Sequence, residues 1–252
     1  MQILGVKVDN ITHEEALAKV LDFFQNGQHI ITTPNPEFIL AAREDKEFKD
    51  ILNRADLALP DGFGLILMSR LLGKPLREQI CGSDFIWNIC ALAEKENKSI
   101  YLVGAQEGVA VKAANNLRGK YPQLKIVGAE IGLRLGVNDQ SDALHENQQL
   151  ITRINAVQPD IIFVAFGHGK QEKWIAGNLS KLPSVKIAMG IGGSLDFIAD
   201  LIPRAPLWMR QLGIEWLWRL IQEPQRWCRI YRAVIKFPIL VLKEKIGNRG
   251  QK

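Results

Sequence analysis

The sequence predicts an α/β fold: a Rossmann-like, largely parallel sheet with helices on both faces, followed by a helical, membrane-associating C-terminal appendage. Three observations predict it. Short apolar runs alternate with segments of helical periodicity up to about residue 190. The apolar runs end in polar turns marked by glycine or proline. The chain then changes character at Arg204. From Arg204 to Lys252 there are eleven Lys/Arg and three Asp/Glu, a net of +8, whereas the first 203 residues carry twenty-one against twenty-four, a net of −3. We therefore divide the chain into an α/β catalytic body, residues 1–203, and a basic, Trp-rich appendage, residues 204–252.

The elements follow in order. Ile3 to Val8 is a first strand. Thr12 to Phe24 is a helix, with Thr12 as N-cap and Glu15 three residues on, the spacing of a capping box. His29 to Thr33 is a second strand, stopped by Pro34-Asn35-Pro36. Glu37 to Asn53 is helical, Ala55 to Leu59 is a short strand closed by Pro60-Asp61-Gly62, and Phe63 to Leu72 is helical. Ser83 caps a helix through Glu96. Ser99 to Gly104, Lys125 to Glu130, Asp160 to Phe166 and Val185 to Gly190 are strands. Helices over Gly108 to Tyr121, Gln148 to Val157 and Lys170 to Leu182 complete the alternation. Polar Gly136 to Asn147 is expected as a mobile loop, and disorder is expected only from Gly247 to Lys252.

Composition excludes several classes. The chain is 47% hydrophobic and 23% charged, as in an ordinary globular protein. Cys81, Cys90 and Cys228 form no CxxC spacing, so neither a disulfide scaffold nor a zinc site is expected, and a reducing cytoplasm is the default. The N-terminus lacks the basic and apolar regions of a signal peptide. No apolar stretch approaches the roughly 20 residues that span a bilayer; Ala233 to Leu242 is interrupted by Lys236 and Pro238. There is no Asp-x-Asp, no GxxxxGK[ST] and no GxSxG. The carboxylate pair that commonly holds a metal on a sugar nucleotide, the P-loop and the hydrolase elbow are thus all absent from the sequence.

In an open parallel sheet, ligands bind beyond the carboxyl ends of the strands. Five polar strand ends are expected to converge there: Thr33 to Glu37, Pro60 to Gly64, Gly104 to Gly108, Gly167 to Glu172 and Gly190 to Ser194. Gly104 opens a helix and could offer backbone N–H groups to a diphosphate, although glycine also serves plain sterics at such turns. Gly192, in Gly190-x-Gly-Gly-Ser, is a similar case. Asp61 is either a turn residue capping the next helix or a general base at the pocket edge. Thr33 and Asn35 have bland alternatives as strand-closing and Asx-turn residues. His168 has no partner carboxylate beside it in sequence, and Glu172 suits a helix N-terminus.

The appendage carries Arg219, Arg226, Arg229, Arg232 and Lys236 at steps of seven, three, three and four, interleaved with Trp216, Trp218, Trp227 and Ile230. Cations among tryptophans suit an anionic membrane surface better than a solvated helix face. No nucleic-acid module is recognisable, and nucleic acid is not expected as a partner. Such an apolar tail also gives a soluble chain a motive for self-association into a homo-oligomer.

Several of these residues occur together and in order: Thr32-Thr33-Pro34-Asn35-Pro36-Glu37, Leu59-Pro60-Asp61-Gly62, Gly82-Ser83-Asp84, Lys170-Gln171-Glu172-Lys173-Trp174, Gly190-x-Gly-Gly, and Arg204-Ala205-Pro206 with Leu212-Gly213-Ile214-Glu215-Trp216. Over nearly the whole chain this resembles the WecG/TagA/CpsF glycosyltransferases. The resemblance implies an inverting, metal-independent transfer of N-acetylmannosamine, or a related hexose or uronic acid, without a cofactor. The donor is a UDP-sugar and the acceptor is N-acetylglucosamine on undecaprenyl diphosphate. It places the enzyme on the inner face of the bacterial plasma membrane, in teichoic acid or other surface-polysaccharide synthesis. It implies Asp61 as base, Thr33 as a residue important for activity, Gln171 as a substrate contact, and Arg219, Arg226 and Arg229 as the arginines that complete the site. Two positions depart from the family pattern. Gly169 stands where Pro is common, which would loosen that turn. Gln79 stands where Arg is frequent, so another cation must serve the donor diphosphate, with Arg77 the nearest candidate. Two other readings fit the same residues: a soluble sugar-nucleotide hydrolase or epimerase, and a non-catalytic nucleotide-binding protein that docks on membranes. Deleting everything after about Pro203 is expected to leave a folded body with little activity.

Overall fold

In the computed structural model, which describes residues 1–133 and 140–249, the alternation produces a six-stranded parallel sheet. The first predicted strand is instead a small antiparallel hairpin, β1 (Gln2–Ile3) with β2 (Val6–Lys7), outside that sheet. The reason is local: Leu4 and Gly5 both have positive φ, 49° and 77°, which turns the chain back on itself. Helix α1 (His13–Phe23) begins with the expected capping box between Thr12 and Glu15. Strand β3 (His29–Thr32) leads to Asn35, whose side-chain oxygen accepts the Phe38 N–H at 3.0 Å and caps α2 (Pro36–Glu44). The single helix expected over residues 37–53 is two, because extended Asp45 ends α2 and caps α3 (Lys46–Arg54) through the Phe48 N–H.

Strand β4 (Leu57–Ala58) precedes α4 (Phe63–Leu71). Helix α5 (Gly82–Lys95) starts one residue before the expected Ser83 cap, with Cys81 at the N-cap, and Ser83 Oγ lies 3.1 Å from Cys81 Sγ. Strand β5 (Ser99–Gly104), α6 (Val109–Lys120) and β6 (Lys125–Glu130) follow as expected. Helix α7 (Gln140–Val157) begins eight residues earlier than expected and turns most of the anticipated loop into helix; residues 136–139 lie outside the described residues. Its polar start hid it, since a helix bedded on one side tolerates a polar first turn. Strand β7 (Ile161–Ala165), α8 (Lys170–Asn178), β8 (Ile187–Gly190) and α9 (Ser194–Ile198) complete the body.

The strand order is β4-β3-β8-β7-β5-β6. Alternate residues serve opposite faces, as the pleat requires. Ile100, Leu102, Ile161, Phe163, Ile187 and Met189 pack with α1, α5 and α6 in one core, and Tyr101, Val103, Ile162, Val164 and Ala188 pack with α7 and α8 in another. Both faces are covered, which explains strands that are apolar throughout.

The appendage is a run of short helices: α10 (Leu207–Gln211), α11 (Glu215–Gln222), a 3₁₀ turn at Pro224–Arg226, α12 (Trp227–Tyr231), a π-helical turn at Arg232–Lys236, and α13 (Phe237–Arg249). Pro224 starts a new segment, as a residue without an N–H must. Pro238 does not end the helix, because the wider π turn just before it absorbs the missing hydrogen bond. Helix α13 returns to the body. Phe237 and Val241 are fully buried in a third core with Ile3, Val6, Phe38, Ile39, Leu65 and Met68. Gly247 lies within α13, and the last three residues fall outside the described residues.

Candidate active site

Beyond the carboxyl ends of β4, β3, β8 and β7 lies a cavity of about 720 Å³, closed on its far side by the appendage. This is the size range of small-molecule and cofactor sites. Thr33, Asn35, Asp61, Gln171, Gly192, Arg219, Arg226 and Arg229 all line it. Gly104 does not. Its strand β5 is one step further out, and a Cβ on Gly104 would sit 2.5 Å from the carbonyl oxygen of Ala165. That close approach, with a φ of +116°, accounts for the glycine by sterics.

The floor is built from turns pinned to one another. The Asp61 N–H donates to the Pro34 carbonyl at 3.0 Å and the Ile80 N–H to that of Pro60 at 2.9 Å. Thr33 is buried against Gly82, where an added Cβ would meet Thr33 Cγ2 at 2.8 Å. Asp61 is partly buried, and its carboxyl is pushed up to about 7, chiefly by burial. The Gly82 N–H opposes that rise; Glu215 and Asp84 reinforce it, and Arg204 opposes it. Arg204 holds these neighbours together. It donates to both carboxylate oxygens of Asp84, at 2.9 and 3.3 Å, and its Nε is 3.3 Å from Glu215. Cys81, beside Asp61, is pushed up to about 12 by burial and is a neutral thiol.

The β7 and β8 ends are locked together by Gln171 and Glu172, both 2% exposed. Gln171 Oε1 accepts the Gly192 N–H at 2.9 Å, and its Nε2 donates to Glu172 Oε1 at 2.7 Å. The other carboxylate oxygen accepts the Gly169 N–H at 2.7 Å. Burial pushes Glu172 up to about 7, against those hydrogen bonds. Gly169, expected to loosen its turn, thus supplies an N–H that ties the turn down, and proline has none to give. Gly190 is required here, since a Cβ would come within 2.5 Å of the Gln171 amide. Gln171 therefore shapes the wall as well as lining it.

The lid side is cationic. Arg226 is paired with Glu223 at 2.8 Å and Arg229 with Glu37 at 2.7 Å. Arg229 also donates to His168 Nδ1 at 3.3 Å, which places the histidine proton on Nε2. Burial and Arg229 hold His168 below its usual range, so it is neutral. Arg219 has no ion-pair partner among the described residues. Its guanidinium lies over the Phe197 ring at 4.7 Å, its Nε–H is buried without an acceptor, and burial with Arg226 lowers its proton affinity. Arg210 also lines the cavity; its Nη1 lies 3.5 Å from Asp84 Oδ1, while its Nε is buried without an acceptor. A partly buried guanidinium without a carboxylate partner, as at Arg219, is a place for an anion. Arg77, the sequence candidate for this work, is elsewhere, bound to Glu15 and the Asn10 carbonyl. Arg210 was missed because it follows no strand and sits outside the seven-then-three arginine spacing. Glu215 was visible only as part of the Gly213-Ile214-Glu215-Trp216 motif. Among the described residues, no group of three or more His, Cys, Asp or Glu is placed to hold a metal ion.

The sequence profile of the Glycosyl transferase WecG/TagA/CpsF family matches residues 1–251. A protein of Bacillus subtilis named N-acetylglucosaminyldiphosphoundecaprenol N-acetyl-beta-D-mannosaminyltransferase is 35% identical over 221 residues, covering 87% of this chain and 81% of its own. Its namesake from Bacillus spizizenii is 32% identical, covering 88% and 81%. One from Staphylococcus aureus is 31% identical over 253 residues, covering 98% and 94%. The chain belongs to the WecG/TagA/CpsF family of glycosyl transferases.

Proposed function

We propose that this enzyme transfers N-acetylmannosamine, or a closely related sugar, from a UDP-sugar to N-acetylglucosamine on undecaprenyl diphosphate, with inversion at the transferred carbon. The observation that carries this is one cavity lined both by a carboxyl tuned to about 7 and by a partly buried arginine without an ion-pair partner among the described residues. Asp61 takes the proton of the acceptor hydroxyl as that oxygen attacks the anomeric carbon of the donor. A base of that affinity is about half ionised at pH 7 and basic enough to accept a proton. The bond to UDP breaks on the opposite face, and charge grows on the leaving diphosphate. Arg219 meets it, with Arg210, Arg226 and Arg229 nearby, so fixed cations do the work.

The names of the relatives support the sugar and the lipid acceptor. The appendage supports a site on an anionic membrane, at the cytoplasmic face of a bacterial cell. Trp208, Leu212, Ile221 and Trp227 are exposed, Trp227 to 62%, on a segment of net positive charge. No helix of the described residues is long and apolar enough to cross a membrane. A homo-oligomer would cover the same side chains away from lipid. The test is UDP release from UDP-N-acetylmannosamine with and without the lipid-linked acceptor. Acceptor-dependent release that survives EDTA supports the proposal; equal release without acceptor makes the enzyme a sugar-nucleotide hydrolase.

A further inference from the structure

Helices α4 and α13 leave the cavity side by side. Phe63 and Leu67 of α4 and Pro238 of α13 line its wall. At the far end, Lys245 of α13 donates to the Leu71 carbonyl of α4. The two helices therefore run in the same direction for about 12 Å, at 1.5 Å per residue. Their inward side chains, Leu65, Met68, Phe237 and Val241, are spent on the core. Outward, α4 presents Phe63, Leu67 and Leu71, spaced four apart on one stripe and 43%, 48% and 37% exposed. On α13 the edge that carries Pro238 and Lys245 also carries Leu242, 39% exposed, with Ile239 beside it. Single exposed apolar residues are ordinary. A continuous row of them that begins inside a cavity lined by arginines is not.

A ligand that fits both parts has an anionic head and an apolar chain. We propose that the α4–α13 track binds the first isoprenoid units of the polyprenyl-diphosphate acceptor as they leave the cavity. This rests on the function proposed above. Continuity selects the occupant: Phe63 and Leu67 belong to both the cavity and the track, so what lies on the track joins what fills the cavity. The exposed Trp208, Leu212, Ile221 and Trp227 do not line the cavity, and they face whatever surface the appendage meets.

The test uses the full-length enzyme and two readouts. A farnesyl diphosphate analogue carrying a benzophenone on its chain is photolysed with the protein, and the labelled peptides are mapped. Label on α4 and α13, competed by undecaprenyl diphosphate, is the expected result; label confined to residues 207–231 overturns the track. The second readout is the ratio of kcat/KM for an undecaprenyl acceptor to that for a short-chain acceptor. Leu71→Ser with Leu242→Ser, both at exposed positions, should lower that ratio about tenfold; an unchanged ratio overturns the proposal. So does a parallel loss of binding to anionic phosphatidylglycerol vesicles, which would assign the row to the bilayer. Label that disappears as the protein self-associates would assign it to a second copy and also overturn the track. Specific labelling of α4 and α13 by an enzyme that transfers no sugar would sink the proposed function and leave the track standing.

Discussion

At the residue scale, the tuned group is Asp61, and its tuning has a cost. A carboxyl raised from its ordinary 3.8 to about 7 holds its proton in the folded chain after the unfolded chain has released it. Below about pH 4 both states are protonated and Asp61 has no effect on stability. Between about pH 4 and 7 stability falls as pH rises, and above 7 the loss is constant. Glu172, also raised to about 7, acts in the same direction. Asp61→Asn removes the penalty at its own site. The variant should match wild-type stability near pH 4 and exceed it by about 4 kcal/mol at pH 8, read from denaturation at both pH values. A constant difference across that range would mean that Asp61 is not raised. The identity of this residue was legible in the sequence, because Pro60-Asp61-Gly62 closes a strand that must end at the ligand edge. Its affinity was not, since that depends first on burial and then on Glu215 and Asp84, which come from distant parts of the chain. Arg219 was legible as a cation, and only the fold shows that its neighbours are matched by carboxylates while it is not.

At the scale of elements, the strands and most helices could be read because each obeys a single local rule. Apolar runs of four to six residues, bounded by glycine or proline, give β3, β5, β7 and β8. The exceptions have local causes too. Leu4-Gly5 folds the first strand into a hairpin, and Asp45 can both end and begin a helix. What the sequence hides is docking. Helix α13 has an ordinary mixed pattern, yet it places Phe237 and Val241 in the core of the body. Phe237→Ala should therefore cost about 3 kcal/mol or more, as a buried phenylalanine does, although it lies far beyond the expected body boundary. Chemical denaturation reads this directly; a loss under 1 kcal/mol would mean that α13 is not seated there in solution. By the same logic a chain ending near Pro203 loses part of a core as well as its arginines.

At the scale of the whole molecule, charge and hydrophobicity are divided by position along the chain. An acidic body carries Asp61, the proposed base, and a basic appendage carries arginines that line the same cavity. The division is useful because the appendage also exposes its tryptophans and leucines. If the proposed function holds, a segment that closes the cavity and meets lipid would couple substrate capture to the membrane surface. The strand ends alone predicted the cavity, and the appendage composition alone suggested a membrane surface, which remains a proposal. Their meeting, through Arg204 with Asp84 and Arg229 with Glu37, is a property of the fold.

The central claim is that Asp61 performs proton transfer in a cavity whose anion site stands independently of it. The most direct measurement compares wild type with Asp61→Asn in two assays: UDP binding by calorimetry, and acceptor-dependent UDP release in EDTA. The account predicts UDP affinity within about threefold of wild type and turnover reduced by at least about a hundredfold, the usual scale of general-base catalysis. Turnover that survives the substitution, or UDP binding that vanishes with it, would contradict that claim.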